Sequence, residues 1–296
     1  MVMSTCLLVS PVEAADPAGT EDRLHVVDPA DPRVSVLDLG VTRGDGIFEA
    51  LGVVEGRPQA VDAHLRRLGN SAAMLDLPTL DLTAIRAAVL QVVELSAPAP
   101  EMLVKIVVTR GVEGAQPPAA TCWVIALPAA DHSAERQEGV SVVLLDRGYP
   151  HDISSRAPWL LTGAKTLSYA VNKAVLREAA RRGADDVVFT SSDGYVLEGP
   201  TSTLIARFGN HIWTPAIAQG LLPGTTQASA FEFFAARGFS TSEVLLRTGQ
   251  LPDADALWLA SSVRMLAPVR EVDGWAVPVD HELSDAANAF LLGRSE

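Results

Sequence analysis

The order of the apolar segments constrains the fold of this 296-residue chain more than any single motif does. Runs rich in β-branched residues and bounded by Pro or Gly predict strands at residues 102–110, 121–127 and 139–146. Residues 61–75 and 82–95 instead carry apolar side chains at helical spacing and predict two helices. Because strands and helices are grouped and do not strictly alternate, the pattern favours α+β domains over a βαβ fold.

A second group of elements follows "RGYPHDISSRAPW", a segment rich in turn-forming residues. It starts with an amphipathic helix that ends before Gly183, and short antiparallel strands follow between residues 185 and 215. The Pro-Gly turn of "GLLPGTTQ" then leads into another helix. The apolar face of the first of these helices consists of Leu167, Ala170, Val171, Ala174 and Val175.

These patterns predict two α+β domains, each a mixed sheet with a few helices. We expect a smaller domain at residues 23–147, a linker at 148–158 and a larger domain at 159–296. Residues 1–22 are expected to form an N-terminal extension, for which the pattern predicts no definite structure.

Composition excludes several classes of protein. The formal net charge of -13 argues against a nucleic-acid-binding protein, which usually presents a basic face. Cys6 and Cys122 are far apart and the six histidines are scattered, so neither a disulfide framework nor a metal site is expected. No apolar run reaches the roughly 18 residues of a membrane span, and "CLLVSPVEAA" lacks the basic region of a signal peptide. We therefore expect a cytoplasmic protein.

Lys165 follows a small-residue turn and precedes the amphipathic helix of the second half. An ε-amine can form a Schiff base with an aldehyde when it is partly neutral, and burial or a nearby cation favours the neutral form. A solvated lysine near a helix start is the alternative, and it is the commoner situation for a lone lysine.

Two further segments suit a phosphorylated cofactor that carries an aldehyde. Glu198 follows a predicted strand and precedes Gly-Pro, where a carboxylate can lie against a protonated ring nitrogen. Thr225 and Thr226 fall at a predicted helix start, where backbone N–H groups and hydroxyls favour a phosphate. The alternatives are an exposed turn glutamate and a threonine that only caps its helix.

Additional hydroxyl and cationic groups lie elsewhere in the chain. The adjacent Arg66 and Arg67 of "HLRRL" project in different directions from a helix, so one can face inward while the other is solvated. Ser261 and Ser262 follow an apolar strand and offer two hydroxyls, or they form an ordinary strand-ending turn.

Seven segments, taken together and in order, resemble the class IV aminotransferase-like enzymes. This is the fold-type IV pyridoxal-phosphate (PLP) family of branched-chain transaminases, D-amino-acid transaminases and aminodeoxychorismate lyases. The resemblance implies a two-domain α+β fold, PLP held between the domains, a small-molecule substrate and a homodimer. The segments are "DLGVTRGDGIFEA", "AHLRRL", "VTRG", "AKTLSYAVNKAVLREA", "DDVVFTSSDGYVLEGPTSTL", "GLLPGTTQ" and "ASSVRMLAPV".

The resemblance also implies roles for individual residues. Lys165 matches the Schiff-base lysine, and Glu198 matches the partner of the pyridine nitrogen. Arg67 matches the arginine that binds the cofactor phosphate, which leaves Arg66 as the solvated one.

The same comparison assigns the remaining candidates. Thr225 and Thr226 match the phosphate cup, and Ser262, together with Ser261, matches the turn close to the cofactor. The resemblance also implies that the loop that begins at Arg110 helps define the substrate pocket. The candidate substrate-binding residues are Arg110 and Ser261.

Three departures from the family pattern weaken parts of this assignment. Thr203 stands five residues after Glu198, where the family typically has Asn, so the support of the glutamate differs. Leu39 stands where many members carry Arg after Asp38. The segment after Arg110 also lacks the glycine- and arginine-rich loop of many lyases.

The resemblance implies a PLP-dependent reaction, in which the freed Lys165 acts as the general base. "AKTLSYAVN" with "VLEGPTST" resembles the aminodeoxychorismate lyase branch, which releases p-aminobenzoate and pyruvate. The alternatives are a D-amino-acid or branched-chain transaminase and a non-catalytic cofactor- or phosphate-binding protein. The presence of both Lys165 and Glu198 argues against the non-catalytic alternative.

Overall fold

The computed structural model describes residues 4–9, 24–116 and 118–294 and divides them into two compact units. The N-terminal unit holds the described residues up to Ala130 together with Ala164–Tyr169. The C-terminal unit holds Asp131–Gly163 and Ala170–Arg294. Both units contain helices and a sheet, so the predicted α+β class is confirmed.

The N-terminal unit is built on a six-stranded antiparallel sheet with strand order β2-β1-β6-β5-β3-β4. Alternate residues of β6 are buried, as expected for a sheet with one face covered by helices. The strands are β1 (Thr5–Val9), β2 (Leu24–Val27), β3 (Gly46–Val54), β4 (Arg57–Pro58), β5 (Glu101–Thr109) and β6 (Thr121–Pro128).

Two long helices cover this sheet, and both were predicted from their apolar spacing. Helix α2 (Val61–Met74) packs on β3, and α3 (Leu82–Glu94) packs on β1, β5 and β6. The Asp81 side chain accepts a 2.9 Å hydrogen bond from the Ala84 N–H and caps the first turn of α3. A short helix, α1 (Leu39–Thr42), is capped in the same way by Asp38.

Part of the predicted N-terminal extension belongs to this sheet. Strand β1 (Thr5–Val9) pairs with both β6 and β2, and Leu7 is fully buried. Residues 1–3 and 10–22 of the extension lie outside the described residues.

The segment around Lys165 also belongs to the N-terminal unit, so the division of the chain differs from the predicted linker at 148–158. Thr166 forms a β-bridge with Ile47, and the Leu167 N–H donates to the Gly46 carbonyl at 2.8 Å. These hydrogen bonds attach residues 165–167 to the edge of β3, a strand that lies more than 100 residues earlier in the sequence. Apolar periodicity carries no signal for such a pairing.

The C-terminal unit is built on an eight-stranded mixed sheet with the path β11-β10-β9-β12-β13-β7-β8, to which β14 is added beside β13. Three pairs are parallel, β10–β11, β7–β8 and β13–β7. The strands are β7 (Val140–Asp146), β8 (Asp186–Thr190), β9 (Thr203–Phe208), β10 (His211–Pro215), β11 (Ser240–Val244), β12 (Ala256–Ser261), β13 (Met265–Val272) and β14 (Trp275–Ala276).

Two predictions for this unit differ from the structure. Strand β7, which was expected in the smaller domain, lies in the C-terminal sheet because it pairs with β8 and β13. The predicted strand at 195–199 is not a regular strand: it forms isolated bridges through Tyr195 and Val196. It still lies beside β8, because the Leu197 N–H donates to the Phe189 carbonyl at 2.8 Å and the Phe189 N–H donates to the Glu198 carbonyl at 2.9 Å.

The helices of this unit include one whose predicted apolar face is not buried. Helix α6 begins at Ala170, after Leu167, and Ala179 is its buried residue, whereas Val171 is 60% exposed. The helix still ends before Gly183, which has the left-handed φ of 78° that favours glycine. The helices are α4 (Ser133–Glu138), α5 (Ile153–Arg156), α6 (Ala170–Arg181), α7 (Thr225–Ala236) and α8 (His281–Leu292).

Among the described residues, no helix is both long enough and apolar enough to cross a membrane.

Candidate active site

Lys165 is held in the N-terminal unit by its own backbone. Its carbonyl accepts a 3.0 Å hydrogen bond from the Phe48 N–H, and its N–H donates to Ser71 Oγ at 3.1 Å. The Lys165 ammonium lies 4.7 Å from the centroid of the Phe48 ring, within cation–π range. The lysine is therefore a half-buried side chain on a fixed backbone, not a solvated residue at a helix start.

The same aromatic ring faces a second lysine that the sequence reasoning missed. The Lys105 ammonium lies 5.4 Å from the Phe48 ring centroid, and Lys105 is half-buried on β5. An isolated lysine inside the apolar run "MLVKIVVT" was the available signal.

Arg66 and Arg67 face in different directions, as the helical spacing predicts. Arg66 is exposed, whereas Arg67 is 7% exposed and forms two hydrogen bonds to the Glu49 carboxylate. His64, one turn earlier, also contacts Glu49, at 2.7 Å through Nδ1. Neither Glu49 nor His64 was singled out from the sequence, because their partners lie on another element.

Burial and pairing shift the ionisation of this cluster. Burial alone would raise the pKa of Glu49, but the hydrogen bonds and charges of Arg67 and His64 outweigh it and lower the pKa to about 2. Burial lowers the pKa of His64, against the opposing effect of Glu49. The arrangement is an ionised carboxylate between a guanidinium and a neutral imidazole.

Arg110, a candidate substrate-binding residue, is engaged by groups of its own unit. Its guanidinium donates to Asp45 at 2.6 Å and 3.2 Å, to the Leu75 carbonyl at 2.6 Å and to the Asp76 carbonyl at 3.1 Å. The hydrogen bond to Asp45 is the main cause of its raised pKa. This geometry favours a structural role for Arg110 in holding the loop ends together.

Glu198 lies in the C-terminal unit with a side chain that is 16% exposed. Its Oε2 accepts a hydrogen bond from the Leu222 N–H at 3.2 Å, and its Oε1 lies 3.5 Å from Arg147. The Arg147 guanidinium lies over the rings of Phe189 and Tyr149, with centroid distances of 5.0 Å and 5.6 Å. Glu198 is thus a partly solvated carboxylate with one face oriented by the backbone.

Thr203, the departure from the usual Asn, lies against Gly224. A Cβ placed on Gly224 would come within 2.4 Å of Thr203 Oγ1, so the threonine occupies the space that another residue's side chain would need. Gly224 has a φ of -73°, so space and not backbone conformation requires glycine here.

The start of α7 carries the predicted pair of threonines at its first two positions. Gly224 is the N-cap residue and supplies no side-chain hydrogen bond to the first turn. Thr225 and Thr226 are buried, and Thr225 Oγ1 lies 3.3 Å from Ser262 Oγ. The structure therefore brings Ser262 to the helix start, while Ser261 ends β12 opposite Met265.

Within the part of the chain that the structure describes, no group of acidic, histidine and cysteine side chains could hold a metal ion.

Comparison with protein-family models decides the family. The model described as amino-transferase class IV matches residues 46–272, most of the chain. The chain belongs to the class IV aminotransferase family. It is therefore a PLP-dependent enzyme with a fold-type IV structure.

Individual relatives of this class IV enzyme agree with that assignment. A bifunctional aminodeoxychorismate lyase / D-amino acid transaminase of Mycobacterium tuberculosis is 43% identical over 278 residues, which cover 89% of this chain and 96% of the relative. The structure of the fold IV-transaminase CpuTA1 from Curtobacterium pusillum superimposes with a TM-score of 0.93 at 47% identity and covers 98% of this chain and 99% of that chain. A PLP-bound hypothetical aminotransferase from M. tuberculosis has a TM-score of 0.87 at 38% identity, with 97% and 98% covered.

The donor set of this class IV enzyme fits the cofactor. PLP carries an aldehyde, a pyridine nitrogen and a phosphate, which require an amine, a carboxylate and a group of N–H and O–H donors. The described residues offer the half-buried amine of Lys165, the carboxylate of Glu198, and a 12-residue helix whose first turn is not capped by a side chain.

Proposed function

We propose that this chain is a PLP-dependent 4-amino-4-deoxychorismate lyase, which eliminates pyruvate from its substrate and gives p-aminobenzoate. The observation that carries this proposal is the 43% identity to the bifunctional enzyme of M. tuberculosis, whose name includes this activity. The identity extends over 96% of that relative.

In this proposal, each candidate residue meets one part of the cofactor. Lys165 bears the cofactor through its ε-amine, and Glu198 accepts a hydrogen bond from the ring nitrogen. Arg67 binds the phosphate. The hydroxyls of Thr225, Thr226 and Ser262 and the first N–H groups of α7 complete the phosphate site, and Ser261 lies beside the substrate.

The bound cofactor supplies an electron sink for the carbon that carries the amine. The Lys165 amine removes the proton from that carbon and is aimed by the hydrogen bonds of its backbone to Phe48 and Ser71. The bond between the neighbouring ring carbon and the enolpyruvyl oxygen then breaks with its electron pair going to the oxygen, and the ring becomes aromatic. The released enolate of pyruvate takes up at its methylene carbon one proton, which balances the proton removed by Lys165. Glu198, held by the Leu222 N–H, keeps the ring nitrogen protonated during this step.

A D-amino-acid transaminase is the second candidate. The same M. tuberculosis relative carries this activity in its name, and the C. pusillum structure is that of a transaminase. A putative branched-chain-amino-acid aminotransferase of Methanocaldococcus jannaschii is more distant, at 28% identity. Lys165 moves a proton in each of these reactions, so the identity of the product distinguishes them.

The deciding experiment measures both products with one enzyme preparation. Purified protein is incubated with enzymatically made aminodeoxychorismate without a keto acid, and p-aminobenzoate is quantified by its fluorescence. A parallel reaction contains D-alanine and 2-oxoglutarate, and the D-glutamate formed is measured. Release of p-aminobenzoate supports the lyase, whereas amino-group transfer without p-aminobenzoate identifies a transaminase.

Two lysine variants control this experiment. Lys165→Ala is expected to lose both the visible cofactor band and the product, because it removes the amine that bears the cofactor. Lys173→Ala changes an exposed lysine of α6 and is expected to keep both. A colourless wild-type protein after addition of PLP would contradict the residue assignment.

We also propose that the enzyme is a homodimer. Each unit of the single chain exposes large apolar side chains, such as Val36, which is 80% exposed, and Trp159, which is 75% exposed. Such exposure is typical of surfaces that another chain covers. Sedimentation-velocity measurement is expected to give twice the mass of 31.3 kDa, and a monomer at micromolar concentration would contradict the proposal.

A further inference from the structure

The carboxylate of Glu49 is fully buried but takes no part in the reaction outlined above. It lies on β3 next to Phe48, on the face that packs against α2. Burying a carboxylate costs free energy unless the group is paired and hydrogen-bonded, so a glutamate at this buried position needs an explanation.

Glu49 binds Arg67 with both of its oxygens. Arg67 Nε donates to Oε1 and Arg67 Nη2 donates to Oε2, each at 2.7 Å. Two parallel N–H···O bonds of this kind fix the plane of a guanidinium as well as its position. These bonds use two of the five guanidinium N–H groups, and Nη2 also lies 3.5 Å from His64 Nδ1.

His64 fixes the carboxylate in turn. The His64 ring is 1% exposed, and its Nδ1 lies 2.7 Å from Glu49 Oε2. Because an ionised carboxylate only accepts hydrogen bonds, the Nδ1 atom must carry the proton. Burial lowers the pKa of His64, so a neutral imidazole with its proton on Nδ1 donates this bond.

The same face of α2 also holds the Lys165 backbone. His64, Arg67 and Ser71 follow one another at intervals of three and four residues, which places them on one side of the helix. Ser71 Oγ accepts the hydrogen bond from the Lys165 N–H. One helix face therefore sets the position of Arg67 relative to the backbone that carries Lys165.

We propose that Glu49 is a positioning residue that orients the Arg67 guanidinium toward the phosphate of the cofactor, with His64 as the donor that holds Glu49 in place. This inference rests on the proposed phosphate role of Arg67. Glu49 also neutralises the charge of Arg67, so recognition of the phosphate depends on the direction of the remaining N–H groups and not on net charge.

Charge neutralisation alone makes the opposite prediction for a variant that lacks the carboxylate. If Glu49 acts only by cancelling the arginine charge, Glu49→Gln leaves that charge uncompensated and PLP binds more tightly. If Glu49 orients the guanidinium, the same change weakens the binding of PLP.

The test is a titration of full-length apoenzyme with PLP and, separately, with pyridoxal, which lacks the phosphate. Binding is followed by the visible absorbance of the cofactor. Glu49→Gln is expected to weaken PLP binding about 10-fold, the scale of loss when an outer hydrogen-bond partner is removed from a binding site. The affinity for pyridoxal is expected to stay within about twofold of the wild type, because pyridoxal makes no use of the oriented arginine.

Matched variants separate the possible failures. Arg66→Gln changes the exposed neighbour and is expected to bind both ligands like the wild type. Arg67→Gln is expected to lose PLP affinity selectively; if it does not, the proposed phosphate role of Arg67 fails. If Arg67→Gln loses PLP affinity selectively but Glu49→Gln does not, the positioning role of Glu49 is overturned and the phosphate role of Arg67 stands.

Two other results also overturn the inference. Equal losses for PLP and pyridoxal in Glu49→Gln indicate general structural damage, and tighter PLP binding indicates simple charge neutralisation. His64→Phe provides a second variant if Glu49→Gln does not fold, because it removes one donor to Glu49 and leaves both arginine bonds. It is expected to weaken PLP binding about threefold without affecting pyridoxal, and unchanged binding of both ligands overturns the proposal.

Discussion

Two glutamate–arginine pairs of this enzyme show opposite designs. In the N-terminal unit, Glu49 and Arg67 have side chains that are 0% and 8% exposed and share two hydrogen bonds of 2.7 Å. In the C-terminal unit, Glu198 and Arg147 are 16% and 22% exposed, and their charged atoms are 3.5 Å apart. The first pair is held in one geometry by two short hydrogen bonds, whereas the second is a longer contact between more exposed side chains.

The difference has an energetic reason. A buried charge has lost its contacts with water and is stabilised mainly by its partner. Removing one partner therefore costs much free energy, and the pair keeps one arrangement. A partly solvated pair exchanges its contacts with water at little cost. Binding a phosphate benefits from a guanidinium of fixed direction, and binding a ring nitrogen benefits from a carboxylate that can adjust.

The largest expected effect comes from breaking each pair and comparing stability. Glu49→Ala leaves Arg67 buried without its carboxylate and is expected to lower the free energy of unfolding by about 3–5 kcal/mol. Arg147→Ala leaves a partly solvated Glu198 and also removes the contacts of the guanidinium with the rings of Phe189 and Tyr149, and it is expected to lower the free energy of unfolding by less than Glu49→Ala does. Urea unfolding of both variants measures this, and equal losses would remove the contrast between the pairs.

Replacing Glu198 is expected to affect activity strongly and stability little, in contrast to the loss of stability expected for Glu49→Ala. In the proposed role of Glu198, Glu198→Ala should change the unfolding midpoint little but lower kcat about 100-fold, because it removes the group proposed to stabilise the proton on the ring nitrogen. Retention of the visible cofactor band shows that the variant still binds PLP. Full activity would contradict the assigned role of Glu198.

Packing beside the accessible pair gives a smaller effect. Gly224→Ala places a Cβ against Thr203 Oγ1 and is expected to destabilise the protein by about 1–3 kcal/mol. The double variant with Thr203→Ala should recover part of this loss, since it removes the crowded hydroxyl but leaves the Gln227 Cβ at 3.0 Å from the new methyl group. Thermal unfolding of the single and double variants tests the contact, and additive losses would contradict it.

The pH dependence of stability gives the smallest effect. The pKa of His64 is below its ordinary value in the folded protein, so below about pH 6.5 the unfolded chain binds the proton more readily and stability falls. Glu49 behaves likewise below about pH 4.5, since its pKa in the folded protein is about 2. The two shifts reinforce each other in acid.

We therefore expect the wild type to lose stability between pH 7 and pH 5.5 because of His64, whose pKa is lowered by burial in the folded protein. His64→Phe should lose less over the same interval, and Arg147→Gln should keep the wild-type slope. Urea unfolding at the two pH values provides the comparison, and identical slopes for wild type and His64→Phe would show that the histidine does not titrate on unfolding.

Much of the local structure was predictable because it depends on short-range spacing. Helices α2 and α3 and strands β5 to β8 follow the predicted segments closely, since the helices carry an apolar periodicity and the strands are short apolar runs bounded by turn-forming residues. The same rule failed for α6, whose apolar stripe is largely exposed. Periodicity identifies an amphipathic helix but does not determine which surface, if any, covers its apolar face.

Of the candidate site, the sequence by itself determined the residue types and their order, because an amine, a carboxylate and a helix start are local features. The family resemblance was carried by those segments alone. Tertiary structure decided that residues 165–167 pair with the edge of β3 and that Arg67 and His64 converge on Glu49. These contacts join residues of distant segments through hydrogen bonds, and no local pattern of side chains encodes which partner a buried donor will find.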